Sequence, residues 1–351
     1  DGSHLLTAGG SLLQLWQLDG MGPGRGTDQN LSGLVLDQAG QIAALGFRDG
    51  HVRIVTTSQL ESGSQRDAGV DYIGHQGGVS SMAIYSSLGA IVSGGDDGSV
   101  RIWDIASGAP RVPFMRHSQG PIHAVALSPD GQWVVSAAEI SARLWSAADG
   151  ELMDEILVNG QALSVSFSPQ GDRLVVGDSA GNLFFTRPTS SLPPQSARAQ
   201  DAVLALAFSP DGELLASGDA SGRVQLWDPA RAQTLSEPLG FAHPVRWVGF
   251  SDEGGYLVAQ TDHWLHRLLI TGHDLSVSDS RLLEVGLEAG AALATPRGEQ
   301  LRLVGGRGLG QPIYHELDLR VPAAEPLPTG ATLLERDWSG LLGLEFDQTG
   351  A

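Results

Sequence analysis

The chain has 351 residues, 41% of them hydrophobic, and a formal net charge of −19 from 40 acidic and 21 basic residues. It contains no cysteine and no lysine, which excludes disulfides, thiolate zinc sites, thiol nucleophiles, covalently held haem, P-loop lysines and Schiff-base catalysis. No apolar run reaches the roughly 18 residues of a membrane-spanning helix, no basic-then-apolar leader opens the sequence, and so acidic a surface repels phosphate backbones and anionic lipid.

In chain order, "DGSHLLTAGGSLLQLWQLD" (Asp1 to Asp19) reads as the second and third strands of a unit whose first strand is missing. First strands are then expected near Leu31–Leu36, Val79–Ile84, Ile122–Leu127, Ala162–Phe167, Val203–Phe208 and Val245–Phe250, with a weaker one at Ala289–Ala294 and a last at Leu341–Phe346. Second strands begin near Ser3, Gln41, Ala90, Gln132, Asp172, Glu213, Gly255 and Glu299. Asp-Gly and Pro-Asp-Gly turns separate these short β-type runs. The fullest copy runs from Ser209 to Asp228, "SPDGELLASGDASGRVQLWD", and decayed copies recur at a period of about 40 residues. Variable stretches such as Glu151–Leu157 and Gln233–Leu239 supply a fourth, outer strand.

One such unit cannot bury both of its faces, so the units must pack on one another. The chain ends on "WSGLLGLEFDQTGA" (Trp338 to Ala351), a first strand with nothing after it. Joined, "FDQTGA" and "DGSHLL" restore the turn seen in "FSPDGELL". The two ends therefore complete one unit and close a ring, which removes exposed sheet edges. The expectation is a single all-β domain over residues 1–351, a closed propeller of eight four-stranded antiparallel blades, and a module of a longer protein. Seven blades is the alternative, with the poorly patterned residues 285–335 as an insertion.

These motifs resemble the WD-repeat family of β-propellers, and the resemblance spans essentially the whole chain. It is most specific in the central repeats and weakest at residues 20–60 and 285–335. The resemblance implies a hydrogen-bonded tetrad, which maps onto His75, Ser93, Asp97 and Trp103. Elsewhere the tetrad is broken. Trp227 has Ser217, but Ser221 fills the acid's place and Gln200 the histidine's; Trp145 has His117 and Glu139 nearby with a one-residue deletion; Trp16 has Thr7 and no acid. Only one blade keeps all four members, so packing between blades must supply most of the stability.

The tryptophans at third-strand ends have a fixed place in the repeat, which favours inter-blade packing over a ligand box. His75 and Asp97 likewise match a structural network better than a catalytic pair. In "DHWLH" (Asp262 to His266), strand alternation points His263 and His266 to opposite faces, so no metal site is expected. Gly20–Gly26 and Gly305–Gly310 lack dinucleotide-loop spacing and lead into no helical pattern. Aligning the first strands gives Ser32, Ser80, His123, Leu163, Leu204, Arg246, Gly290 and Leu342 at the position after the opening apolar residue, near the central opening. Trp247 follows Arg246 where other repeats carry a small residue. Trp and Arg are enriched in binding hot spots, so Arg246, Trp247 and His123 are the candidate protein-binding residues. The competing reading makes Trp247 a filler for a missing third-strand tryptophan, with Leu269 in that slot.

What the resemblance implies is a non-catalytic protein- or peptide-binding platform without cofactor or metal, cytoplasmic, and binding neither nucleic acid nor membrane. Arginine in place of every lysine suggests a bacterial source, and with it a sensor or regulatory module attached to an effector domain outside this segment. Two alternatives stand beside it: a propeller hydrolase or lyase with a channel site, and a structural scaffold in an envelope complex.

Overall fold

The computed structural model describes residues 42–56, 70–117, 120–188, 190, 192–251, 254–261 and 264–282, together with the strand backbones of 4–9, 12–17, 22–23, 31–36, 300–306 and 312–318. The chain divides into a unit of residues 1–320 and a short unit of residues 321–351. The second unit lies outside the described residues, and with it the expected strand Leu341–Phe346; Ala289–Ala294 does too. Every described residue in regular structure is in a strand, apart from a three-residue 3-10 turn at Ser86–Leu88. No described helix is long and apolar enough to cross a membrane.

Six antiparallel sheets of four or more strands follow one another among the described residues. The Leu31 sheet comprises Leu31–Leu36, Ile42–Phe47, His51–Thr56 and Val70–Ile73. The Val79 sheet comprises Val79–Tyr85, Ala90–Gly95, Ser99–Asp104 and Met115–Arg116. Next come the Ala124 sheet (Ala124–Leu127, Trp133–Ala137, Ser141–Ser146, Leu152–Leu157) and the Ala162 sheet (Ala162–Phe167, Leu174–Asp178, Asn182–Thr186, Gln195–Arg198). In the Val203 sheet, Val203–Phe208, Leu215–Asp219 and Arg223–Asp228 carry an outer strand split into Gln233–Thr234 and Leu239–Gly240. The Val245 sheet has Val245–Phe250, Tyr256–Thr261, Trp264–Thr271 and Asp274–Leu282. Each is a meander in chain order, the arrangement expected of propeller blades.

The Ser-Pro-Asp-Gly phrase works as a turn clamp. Ser209 Oγ donates to Asp211 and accepts from the Leu214 amide at 2.9 Å, while Asp211 accepts from the Glu213 amide at 3.0 Å. Gly212 closes the turn at φ 76°, a left-handed conformation that costs glycine nothing. In "SPQGD" the acid arrives two residues later, and Ser168 donates to Asp172 at 2.8 Å to the same end.

The core lies between successive sheets, not within them. Trp103 packs with Ala44, Val52, Ile54 and Tyr72 of the preceding sheet. Trp145 does the same with Val92, Val100 and Ile102, and Trp227 with Val175, Leu183 and Phe185. Each indole is thus buried against the blade before its own, and burial of these apolar faces ties neighbours together.

Candidate protein-interaction site

In the Val79 sheet the four tetrad residues converge. The Trp103 indole donates to Ser93 Oγ at 2.8 Å, and Ser93 Oγ lies 2.7 Å from His75 Nε2. On the other side of the ring, Nδ1 is 2.8 Å from Ser99 Oγ and 3.3 Å from Asp97 Oδ1. Ser99 donates its own hydroxyl proton to Asp97, so His75 Nδ1 must carry a hydrogen and Nε2 must accept from Ser93. Donation then runs in one direction from Trp103 through Ser93, His75 and Ser99 to Asp97, an arrangement in which each bond polarises the next. Burial lowers the His75 pKa against the opposing pull of Asp97, which matches a neutral ring. Burial also pushes the Asp97 carboxyl up, but donors from Gln76 and Ser99 overcome it and bring it down to about 2.

The broken tetrads are less broken than residue matching indicates. In the Ala124 sheet, His117 Nε2 lies 2.7 Å from Ser136 Oγ, which also accepts from the Trp145 indole at 2.8 Å. The deletion has removed only the acid's place. In the Val203 sheet Trp227 donates to Ser217 at 2.8 Å, but Ser221 does not stand in for the acid. Asp219, two residues earlier, does that work: its Oδ1 accepts from the Ser221 hydroxyl and from the amides of Ser221 and Arg223. Asp178 repeats the device, accepting from the Ala180, Asn182 and Asn159 amides. The position of Asp219 is Gly95 in the Val79 sheet, where an added Cβ would come within 2.5 Å of His75 Nδ1. The Val79 sheet fills that space with His75 over Gly95, and the Ala162 and Val203 sheets fill it with Asp178 and Asp219.

The first strands share a bulge. Pairing slips by one residue between Leu31 and Gly33, Val79 and Ser81, Ala162 and Ser164, Val203 and Ala205, and Val245 and Trp247. The unpaired residues are Ser32, Ser80, Leu163, Leu204 and Arg246, members of the aligned position singled out in the sequence. A bulge re-aims its side chain out of the alternation. Ser32 and Ser80 use it to donate to the carbonyls of Val79, which opens the next sheet, and of Ile122, just ahead of Ala124–Leu127. Arg246 is exposed, and Trp247 is half-buried with its indole folded back over Gly249. His123 sits three sheets before the Val245 sheet that carries Arg246, in the segment leading into Ala124–Leu127; its Nε2 is enclosed without a hydrogen bond and lies 3.7 Å from Glu139 Oε1.

One correction concerns the Val245 sheet. The slot filled by Trp227 opposite Leu215 is filled by Leu268 opposite Leu257, not by Leu269. Leu268 is fully buried and Leu269 is exposed, because one residue fewer separates the paired strands here. His263 lies outside the described residues. His266 is buried against Phe241, ring centres 4.0 Å apart, and burial brings its pKa down to about 4. Among the described residues no group of three or more potential ligands could hold a metal.

The family description "Nucleolar protein 10-like, N-terminal domain" matches residues 21–192, and "WD domain, G-beta repeat" matches residues 191–228. These matches support the WD-repeat β-propeller family. Human WD repeat-containing protein 36 is 38% identical over 94 residues, 26% of this chain and 10% of that protein. Rice small ribosomal subunit protein RACK1y is 31% identical over 118 residues, covering 31% of this chain and 34% of its own length. Rat transducin beta-like protein 3 is 34% identical over 105 residues, 29% and 13% respectively. The matched part is thus about a third or less of these relatives. The crystal structure of the computationally designed Ika8 protein superposes with a TM-score of 0.71 at 18% identity, covering 90% of this chain and 94% of that one, a likeness of fold alone. These WD-repeat relatives are eukaryotic, so the bacterial reading of the lysine-free composition finds no support in them.

Proposed function

We propose that this WD-repeat chain is a non-catalytic platform for protein or peptide partners, with Arg246, Trp247 and His123 contributing to the binding face. The observation that carries the reading is how the repeat spends its polar residues. His75, His117, Asp97, Asp178 and Asp219 are committed to clamps within single blades, and burial keeps the two histidines neutral. Such groups build a rigid surface and leave recognition to side chains re-aimed from it, as Arg246 is by the bulge, with the half-buried Trp247 beside it. One relative is by name a protein of the small ribosomal subunit, a component of a larger assembly, and a comparable role within an assembly is proposed here. The same reading includes a closed ring of eight blades, supported by eight sets of strand motifs.

The test is affinity capture from a eukaryotic lysate, followed by titration of the captured partner against the purified chain. Trp247→Ala with Arg246→Ala is expected to weaken binding by at least about 2 kcal/mol, with thermal melts confirming a folded variant. A folded double variant that binds its partner with full affinity removes these residues from the site.

A further inference from the structure

Among the described residues Arg101 forms no salt bridge, and the Asp97 carboxylate acts on it only as a nearby charge. Arg101 lies on the third strand two residues before Trp103, opposite Ser93. Arg143 holds the same place in the next sheet, where Nε donates to Glu155 at 2.8 Å and Nη1 to the Arg116 carbonyl at 3.0 Å. Among the described residues no carboxylate bonds to Arg101 as Glu155 does to Arg143, and the guanidinium Nε of Arg101 is enclosed with no hydrogen-bond partner. Aromatic rings hold the group in place. Its central carbon lies 5.0 Å from the Phe114 ring centre and 5.8 Å from that of Trp103. Behind it is Gly74, where an added Cβ would come within 2.9 Å of the guanidinium. The flanks are exposed and apolar: Phe114 is 52% exposed, and Ile73, next to Gly74, is 84% exposed.

A partly desolvated guanidinium with an unmet buried Nε and no bonded carboxylate gains from an acceptor that reaches its outer nitrogens. Its planar fork fits a carboxylate through two parallel bonds, and ring stacking has already restricted its motion. Arginine beside exposed aromatic and aliphatic side chains also has the composition of a binding hot spot. We propose that the Arg101, Phe114 and Ile73 edge docks a protein segment that presents one carboxylate beside an aliphatic or aromatic side chain. The proposal rests on the interaction-platform reading and adds a second contact point, on different sheets from Arg246. A net charge of −19 repels a strongly acidic segment at long range, so the rest of the docked segment is neutral or basic.

The experiment selects a phage-displayed random peptide library on the full chain, then measures the enriched peptide and its Glu→Gln or Asp→Asn counterpart by fluorescence polarisation. An acid flanked by apolar residues is expected in the enriched set. Arg101→Gln is expected to weaken binding at least about tenfold, as is removal of the peptide's acid. Arg101→Lys keeps the charge and loses the fork, and weakens it too. Phe114 is exposed, so Phe114→Ala keeps the test open if an Arg101 variant does not fold. Peptides that bind wild type, Arg101→Gln and Phe114→Ala alike overturn this site and leave the platform reading intact. No enrichment on any face of the folded chain counts against both.

Discussion

Gly95 and Asp219 occupy one repeat position and solve one problem in two ways. Where the residue is glycine, His75 fills the space and joins the Trp103 chain of donors; where it is aspartate, the carboxylate itself caps the turn amides. The histidine solution has a pH consequence. Burial brings the His117 and His266 pKa values from 6.5 down to about 4, with Arg143 adding to the effect at His117. His75 is lowered as well. The unfolded chain therefore takes up protons on these rings before the folded chain does. Their contribution to stability is complete above about pH 6.5 and is lost as pH falls towards 4, with a slope approaching about 1.4 kcal/mol per pH unit for each ring. The Asp97 contribution disappears only lower, between about pH 4 and 2. Urea unfolding between pH 4 and 8 should show the midpoint falling below pH 6.5, and His117→Gln should flatten that fall. An unchanged slope in the variant would contradict a buried neutral His117.

At the scale of the element, one glycine position governs how closely the sheets approach. Gly46, Gly94, Gly177 and Gly218 each lie against the residue at the entry to the next first strand: Val79, Ile122, Val203 and Val245. An added Cβ at Gly218 would sit 2.5 Å from Val245 Cγ1. The Ala124 sheet carries Ala137 in that position, and the next strand opens with the smaller Ala162; both are fully buried in one cluster. Volume is conserved across the interface. Gly218→Ala should therefore destabilise by about 1–3 kcal/mol through overpacking, and Gly218→Ala with Val245→Ala should recover part of the loss. A double-mutant cycle by urea titration checks this, and strict additivity of the two changes would show that the residues do not share the space. The bulge on the same strands belongs to this scale too. It takes Arg246 out of the ladder, which strict alternation of the sequence does not reveal.

For the whole molecule, the proposed ring makes residues 338–351 the closing strand, and these lie outside the described residues. Deleting them should open a sheet edge, giving loss of cooperative unfolding or aggregation. Denaturant titration with light scattering would show it, and a soluble variant that unfolds as cooperatively as the parent would sink ring closure. Strand positions and the Asp-Gly turns were legible in the sequence because turn chemistry and period-2 alternation are local, and the His75–Trp103 set was legible through the resemblance to the WD-repeat family. The role of Asp219, the burial of Leu268 in place of Leu269 and the pairing of Gly218 with Val245 were not. Hairpin length and strand register decide those, and a one-residue difference moves a side chain from the core to solvent. The unmet Arg101 belongs to the same class: its neighbour Arg143 has an acid in reach only because the outer strand brings Glu155 alongside. The sequence by itself thus determined what a blade is made of, whereas contacts between distant strands decided which residues each blade buries and which it leaves exposed.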